Sequence, residues 1–191
     1  MRRWIFLRHG ESVANAEGWL SGQVDTPLTE RGRDQARQAA RDLAGAQIAA
    51  VLCSDLSRAV ETARIAVGPR PLTPRIHREL GERSMGEWAR HLKAPLRASG
   101  AFDAMRTWEG KAPGGESYAD LDRRVIPTLA GLEAGSGDVL VVAHGGVIRV
   151  ILRRTDGLAP DAIRDVQVPN AIPIIRELPE GFWAESLLEA P

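Results

Sequence analysis

Four side chains stand where a fold would gather them into one site. Arg8 and His9 close the apolar run "WIFL" and are followed at once by Gly10. Arg58 lies just beyond the run "IAAVLCS", and His144 closes "DVLVVA" ahead of Gly145 and Gly146. Two guanidiniums and two imidazoles together make a pocket for an anion, and forked arginine donors match phosphate oxygens best. A helix beginning at Gly145 would add free N–H groups and its positive end to the same spot. Taken singly, each residue has an ordinary explanation: a salt-bridged arginine, a structural histidine, a surface helix residue, a turn into a helix. Their joint placement at the ends of apolar runs is what points to a site. Gly10 adds a place where another group approaches the backbone closely.

The elements that must position them follow from the hydrophobic pattern. Residues 4–9, 48–54 and 138–144 are short apolar runs, as expected of strands covered on both faces. "LTPRI" (72–76) is a weaker strand, confined to an edge by Pro74. "IPIIREL" (172–178) and "FWAESLL" (182–188) flank "PEG" and predict a C-terminal hairpin with Gly181 in the turn. Helices are expected at 29–45, capped by Thr29 with Ala36, Ala39, Ala40 and Leu43 inward, and at 55–68, with Ala59, Ala63 and Ala66 allowing close packing. Two more are expected at 117–135, kinked at Pro127, and at 145–157. Strands alternating with helices predict an α/β fold, a three-layer α/β/α sandwich around a mostly parallel sheet. In such a sheet ligands bind at the C-terminal strand ends, where Arg8, His9, Ser54 and His144 would stand.

With 191 residues, the chain is expected to form a single domain, residues 1–191. Residues 86–116 are the least regular stretch and read as a small cap-like excursion over the sheet edge. The formal net charge is +0, which gives no global pull toward nucleic acid or an anionic membrane. Cys53 is the single cysteine, so no intrachain disulfide forms; it reads as inert core packing in a cytoplasmic protein. The apolar run at the start is too short for a signal peptide, and no run approaches a membrane span. P-loop, dinucleotide, zincin and serine-hydrolase motifs are missing. His77 and His91 have no partners at ligand spacing, and Trp4 reads as core.

The order of motifs resembles the histidine phosphatase superfamily, also called phosphoglycerate mutase-like: "RHGES" (8–12), "SGQVDTPLTERGRDQA" (21–36), "CSDLSRAVETA" (53–63), "LGERSMGEW" (80–88), "GGES" (114–117) and "VVAHGGVIR" (142–149). "NAIPIIREL" also looks like the family's closing strand. The resemblance implies that His9 is the nucleophile and carries a phosphohistidine, a role that suits an imidazole neutral near pH 7. It implies that Arg8, Arg58 and His144 hold the phosphoryl oxygens, where the transition state spreads charge. It further implies that Asn15, Ser21, Gly22 and Gln23 line the phosphate pocket, with the Gly145 N–H expected beside them. Glu82, four residues before Gly86, is implied as the acid that protonates the leaving group, with Glu79 as the competing choice. No metal and no cofactor are implied.

The resembling family holds phosphatases, mutases and binding members. The span from Glu82 to His144 is short for the cofactor-dependent mutases, and "ERSMG" stands where they read "ERHYG". A metal-independent phosphomonoesterase acting on a small metabolite is therefore the leading expectation. A cofactor-dependent phosphoglycerate mutase is the enzyme alternative, and a phosphate-binding or regulatory protein with a degenerate site is the alternative of another class. The expected partner is a small phosphomonoester, with neither nucleic acid nor membrane; a homodimer stays open. The small phosphatases read "GxWEG" after the acid, whereas Trp88 is followed here by Ala89 and Arg90. Trp19, Leu20, Trp88, Phe102, Met105 and Trp108 either floor the leaving-group pocket or pack locally under a long loop. Arg97 and Arg106 either recruit a second acidic group or are solvated.

Overall fold

A computed structural model describes residues 1–132 and 136–188. In chain order the elements are β1 (Arg2–Arg8), α1 (Val13–Glu17), α2 (Glu30–Asp42), β2 (Ile48–Cys53), α3 (Ser57–Val67) and β3 (Arg75–Ile76). They continue with α4 (Lys93–Ala98), α5 (Ala101–Ala104), α6 (Tyr118–Gly131), β4 (Asp138–Ala143), α7 (Gly145–Thr155), β5 (Ile174–Leu178) and α8 (Phe182–Ser186). The strands form one sheet in the order β3-β2-β4-β1-β5, parallel except for β5, which runs antiparallel to β1.

Alternation along each strand explains why these runs are apolar without a polar face. Trp4, Phe6, Val139 and Val141 pack on one side against α6, α7 and α8, through Leu121, Ile148, Ile151 and Trp183. Ile5, Leu7, Leu140 and Val142 face the other side, against Ala39 of α2, Leu43 at its C-cap, and Ala59, Ala63 and Ala66 of α3. The central strands β1 and β4 are thus covered on both faces, as the expected three layers require, while the edge strands β3 and β5 keep exposed residues. Thr29 caps α2 by accepting the Gly32 N–H at 3.0 Å, and Ser117 caps α6. Helix α6 continues past Pro127 to Gly131; the expected end at Gly135 falls at 133–135, outside the described residues. Among the described residues no helix is long and apolar enough to cross a membrane.

The expected C-terminal hairpin is not formed. Strand β5 pairs with β1, and Phe182–Ser186 is a helix with Gly181 as its N-cap at φ 84°. Trp183 and Ser186 are both buried, three residues apart, so the helical period prevails over the alternation read in "FWAESLL". Trp183 meets Trp4 edge-on, with ring centroids 5.4 Å apart, closing the end of the core.

Residues 86–116 carry α4 and α5 and build a small cluster of their own: Leu20, Met85, Phe102 and Met105, with Trp88, Ala89 and Leu96 against it. The backbone ties this stretch to the loop after α1, with Leu20 N–H donating to His91 (2.9 Å), Arg90 N–H to Leu20 (2.7 Å) and Lys93 N–H to Gly18 (2.9 Å). Trp108 belongs to the main core instead. Arg90 sits at φ 68°, in the left-handed region that favours glycine. This is the position where the small phosphatases were expected to read the glycine of "GxWEG".

Candidate active site

Strand register assembles the site. Arg8 pairs with Ala143, and Cys53 with Val142, so the residues that follow emerge together at one edge. His9 N–H donates to Ala143 O at 3.0 Å and Ser54 N–H to Val142 O at 3.1 Å, carrying the ladder one residue past the strands. The rings of His9 and His144 lie 5.1 Å apart between centroids. Gly10 is answered by the chain itself: a Cβ there would lie 2.2 Å from the Gly32 carbonyl oxygen, and one on Gly32 would lie 2.1 Å from that of Glu11. The turn after His9 therefore packs backbone to backbone on the start of α2. Thr62 of α3 braces it, accepting the Gly10 N–H at 3.0 Å and donating to Arg58 O at 2.7 Å.

These hydrogen bonds set the state of each histidine. His9 Nδ1 lies 2.7 Å from the Gly10 carbonyl, which can only accept, so Nδ1 carries the proton and Nε2 keeps its lone pair. Burial, joined by the charges of Arg8 and Arg58, pushes His9 well below the usual histidine value despite that hydrogen bond, so the ring is neutral at pH 7. His144 is fully buried, and its Nε2 lies 2.8 Å from Ser54 Oγ, which itself accepts from Leu56 N–H at 3.2 Å. With the Ser54 hydroxyl donating to Nε2, the proton of His144 sits on Nδ1. Burial and the nearby Arg58, His9 and Arg8 depress His144 as well.

Arg58 is buried beneath the loop at 21–24, with Nη1 donating to Val24 O (3.0 Å) and Nη2 to Gly22 O (2.7 Å). Arg8 Nη1 donates to Val168 O at 2.8 Å. Burial pulls both guanidiniums below the usual arginine value, with Glu82 opposing in each case. Arg8 Nε, Arg58 Nε and His144 Nδ1 are buried without a hydrogen-bond partner. Each unmet buried donor costs about 1–3 kcal/mol, which an oxyanion would repay. Helix α7 begins beside them: a Cβ on Gly145 would lie 3.7 Å from Arg8 Nε and 3.2 Å from Arg149 Nη1. Glu82 reaches the same helix end, its two oxygens accepting Gly146 N–H at 3.1 and 3.2 Å while Oε1 accepts Arg83 N–H at 2.8 Å. Gly146 must lack a side chain, since a Cβ would lie 2.3 Å from Glu82 Oε1.

A cleft of about 380 Å³ opens over this group, lined by Arg8, His9, Asn15, Ser21, Gly22, Arg58, Glu82 and Gly145 among the expected residues. Asn15 Oδ1 accepts from Ser12 N–H and Asn170 Nδ2, which leaves its own Nδ2 as the free donor. His144 lies beneath the cleft rather than on its surface. Gln23 does not line it: its amide donates to Glu116 at 3.4 Å, in a neighbouring cleft that also holds the exposed Glu79. Cys53 is buried with its thiol pushed up to about 12, as inert packing requires. Trp19, Leu20, Phe102 and Met105 face the cleft, while Trp88 packs against the small cluster.

Several residues of the site were not expected. Arg149 lines the cleft one helical turn after Gly145, a signal readable as i, i+4 spacing on the helix that starts there. Asn170 Nδ2 donates to His9 O at 2.8 Å, and Ala171 N–H to Arg8 O at 2.9 Å; no local pattern marks that contact. Lys93 on α4 also lines the cleft; Arg97 of the same helix and Arg106 after α5, read in the sequence as either recruiting a second acidic group or solvated, line it too, and among the described residues Glu82 is the only acidic one there. Lys93 is pulled below the usual lysine value by burial and by the charges of Arg8 and Arg97.

Comparison with known proteins agrees with this geometry. The chain is 35% identical to 2,3-bisphosphoglycerate-dependent phosphoglycerate mutase 2 of Gloeobacter violaceus, covering 96% of this chain and 90% of that one. It is 36% identical to the adenosylcobalamin/alpha-ribazole phosphatase of Escherichia coli K12, covering 85% and 83%. Its fold superposes with a TM-score of 0.85, at 31% identity and 92% coverage of both chains, on a mycobacterial glucosyl-3-phosphoglycerate phosphatase solved with VO3. The model of the histidine phosphatase superfamily (branch 1) matches residues 4–189, and the chain belongs to that family.

Proposed function

We propose that the protein is a metal-independent phosphomonoesterase that hydrolyses a small phosphorylated metabolite through a phosphohistidine. The observation that carries this reading is the neutral His9, with its Nε2 lone pair free, beside the unmet donors of Arg8, Arg58 and His144. His9 Nε2 attacks phosphorus as the ester P–O bond breaks, and Glu82 gives its proton to the departing oxygen. Water then attacks the phosphohistidine, the N–P bond breaks, and the water's proton returns to Glu82 as inorganic phosphate leaves. The arginines, His144 Nδ1–H and the start of α7 hold the charge spread over the phosphoryl oxygens, the main source of rate in phosphoryl transfer. Asn15, Ser21 and Gly22 help to seat the phosphate, and residues 86–116 act as a cap over the leaving group. Relatives named as phosphatases support the reading.

A phosphoglycerate mutase is the second reading, favoured by the Gloeobacter relative and by Lys93 and Arg97, cations beyond those the phosphoryl group requires. One experiment separates the two: a panel of phosphomonoesters that includes 3-phosphoglycerate, following both free phosphate and 2-phosphoglycerate. Phosphate release, unchanged by EDTA and inhibited by vanadate as a transition-state mimic, is the expected result. Acid-quenched enzyme should carry acid-labile, alkali-stable label from the substrate, and His9→Ala should lose both label and turnover. Isomerisation without net phosphate release would establish the mutase. Activity lost to EDTA and restored by a divalent ion would sink the metal-free mechanism.

A further inference from the structure

Glu82 stands in an irregular stretch between short 3₁₀ turns at Arg78–Leu80 and Gly86–Trp88, so no strand or helix fixes its backbone. The groups that do fix it come from the far side. Arg124 of α6 donates through Nη1 to Glu79 O (2.5 Å) and Gly81 O (3.0 Å), and through Nη2 to Glu82 O (3.0 Å). Its Nε and the second Nη2 hydrogen go to the two oxygens of Glu116, both at 2.9 Å. All five guanidinium donors are thereby spent. Glu116 holds the other end of the stretch, with Oε2 accepting Ser84 N–H at 2.8 Å and its own N–H donating to Ser84 O at 3.0 Å.

We propose that Arg124 and Glu116 are positioning residues for Glu82, an inference that rests on the assignment of Glu82 as the acid. Neither lines the cleft above His9; both line the neighbouring one, of about 430 Å³, behind the Glu82 stretch. They touch no reacting atom and act through backbone. An ion pair of this kind contributes about 0–1 kcal/mol when fully exposed, but this one is bidentate, with side chains only 22% and 24% exposed, and is shared with three carbonyls. Burial would raise the Glu116 carboxyl; Arg124 and the Ser84 N–H outweigh it and hold the group below the usual carboxylate range. A planar fork suits three carbonyls and a carboxylate at once, which a lysine ammonium with three donors on one atom does not.

The test compares Arg124→Lys and Glu116→Gln with wild type on an alkyl phosphate and on p-nitrophenyl phosphate, whose phenolate leaves with little protonation. Misplacing a general acid should lower kcat on the alkyl ester by about 10–100-fold and on the nitrophenyl ester by less than about threefold, with KM unchanged. Hydrogen exchange over residues 79–84 should quicken about tenfold in Arg124→Lys, with β1 and β4 unchanged, whether or not the enzyme turns over. Equal losses on both esters, full alkyl activity in Arg124→Lys, or unchanged exchange would each overturn the proposal. Wild type that releases no phosphate from any ester would sink the phosphatase reading instead, and the exchange arm would still decide whether the pair holds the Glu82 stretch.

Discussion

The two walls of the cleft are built in opposite ways. On the inner wall, Arg58 and His144 are fully buried and His9 nearly so, and each is pinned to groups distant in sequence: Arg58 to Gly22 O, His144 to Ser54, and the His9 backbone to Ala143 and Asn170. On the outer wall, α4 and α5 start without side-chain caps, α4 buries no residue, and the stretch leans on a four-residue apolar cluster. Burying such side chains is worth about 1.5–3 kcal/mol each, far less than the main core supplies. The inner wall therefore has one geometry enforced from all sides, as phosphoryl transfer demands. The outer wall can change at little cost to the fold, which suits the part that meets the variable half of a substrate. Arg90, at positive φ inside that wall, shows the tolerance at work.

The largest effect that would sharpen this contrast is at Glu82. Glu82→Gln should lower the rate on alkyl phosphates by about 10²–10⁴-fold, and by much less on p-nitrophenyl phosphate. Glu79→Gln, on the exposed side of the same stretch, should change little on either. A larger effect at Glu79 would move the acid out of the cleft and break the comparison at its centre.

The neutral histidines make the inner wall sensitive to acid. Below about pH 6.5 the unfolded chain binds protons at His9 and His144 that the fold refuses, so unfolding free energy should fall as pH drops from 7 toward 5. The slope is at most about 1.4 kcal/mol per pH unit for each histidine. Carboxylates held low by partners, Asp120 by the Ser117 N–H and Asp156 by Arg176, lose their contributions only at more acid pH. Urea midpoints at pH 7.5 and 5.5 measure the slope, and His144→Gln should reduce it. A wild-type slope near zero would mean that the imidazoles are charged in the fold.

The smallest effect belongs to the outer wall. Arg90→Gly should stabilise the protein by about 0.5–1 kcal/mol by relieving left-handed backbone, with kcat/KM within about twofold on small esters. Thermal melts and steady-state rates check both parts. Lost stability would show that the Arg90 side chain contributes more than its backbone costs.

How much of this was legible in the sequence follows from the range of each interaction. The three central strands, the cap at Thr29 and the convergence of Arg8, His9, Arg58 and His144 were readable, because short apolar runs, capping and strand ends are local signals. Helix α8 was misread because seven residues carry too little periodicity to separate a strand from a helix. Arg124, Glu116 and Asn170 were invisible as site residues because their contacts are to backbone far along the chain, which no spacing rule reports. Gln23 was placed in the phosphate pocket by the family resemblance, yet its side-chain amide donates to Glu116.

The strand order also governs assembly during synthesis. Among the described residues β1 pairs only with β4 and β5, and β2 only with β4 and the two-residue β3, so β4 must be made before any central pairing forms. Until residue 143 has left the ribosome, "WIFL" and "VLC" have no central strand to join, and their apolar faces remain open to other nascent chains. Late parallel pairing of this kind is slow and prone to misassociation. The register that brings His9 beside His144 thus leaves α2 against α3 as the packing open to the chain before β4 is made.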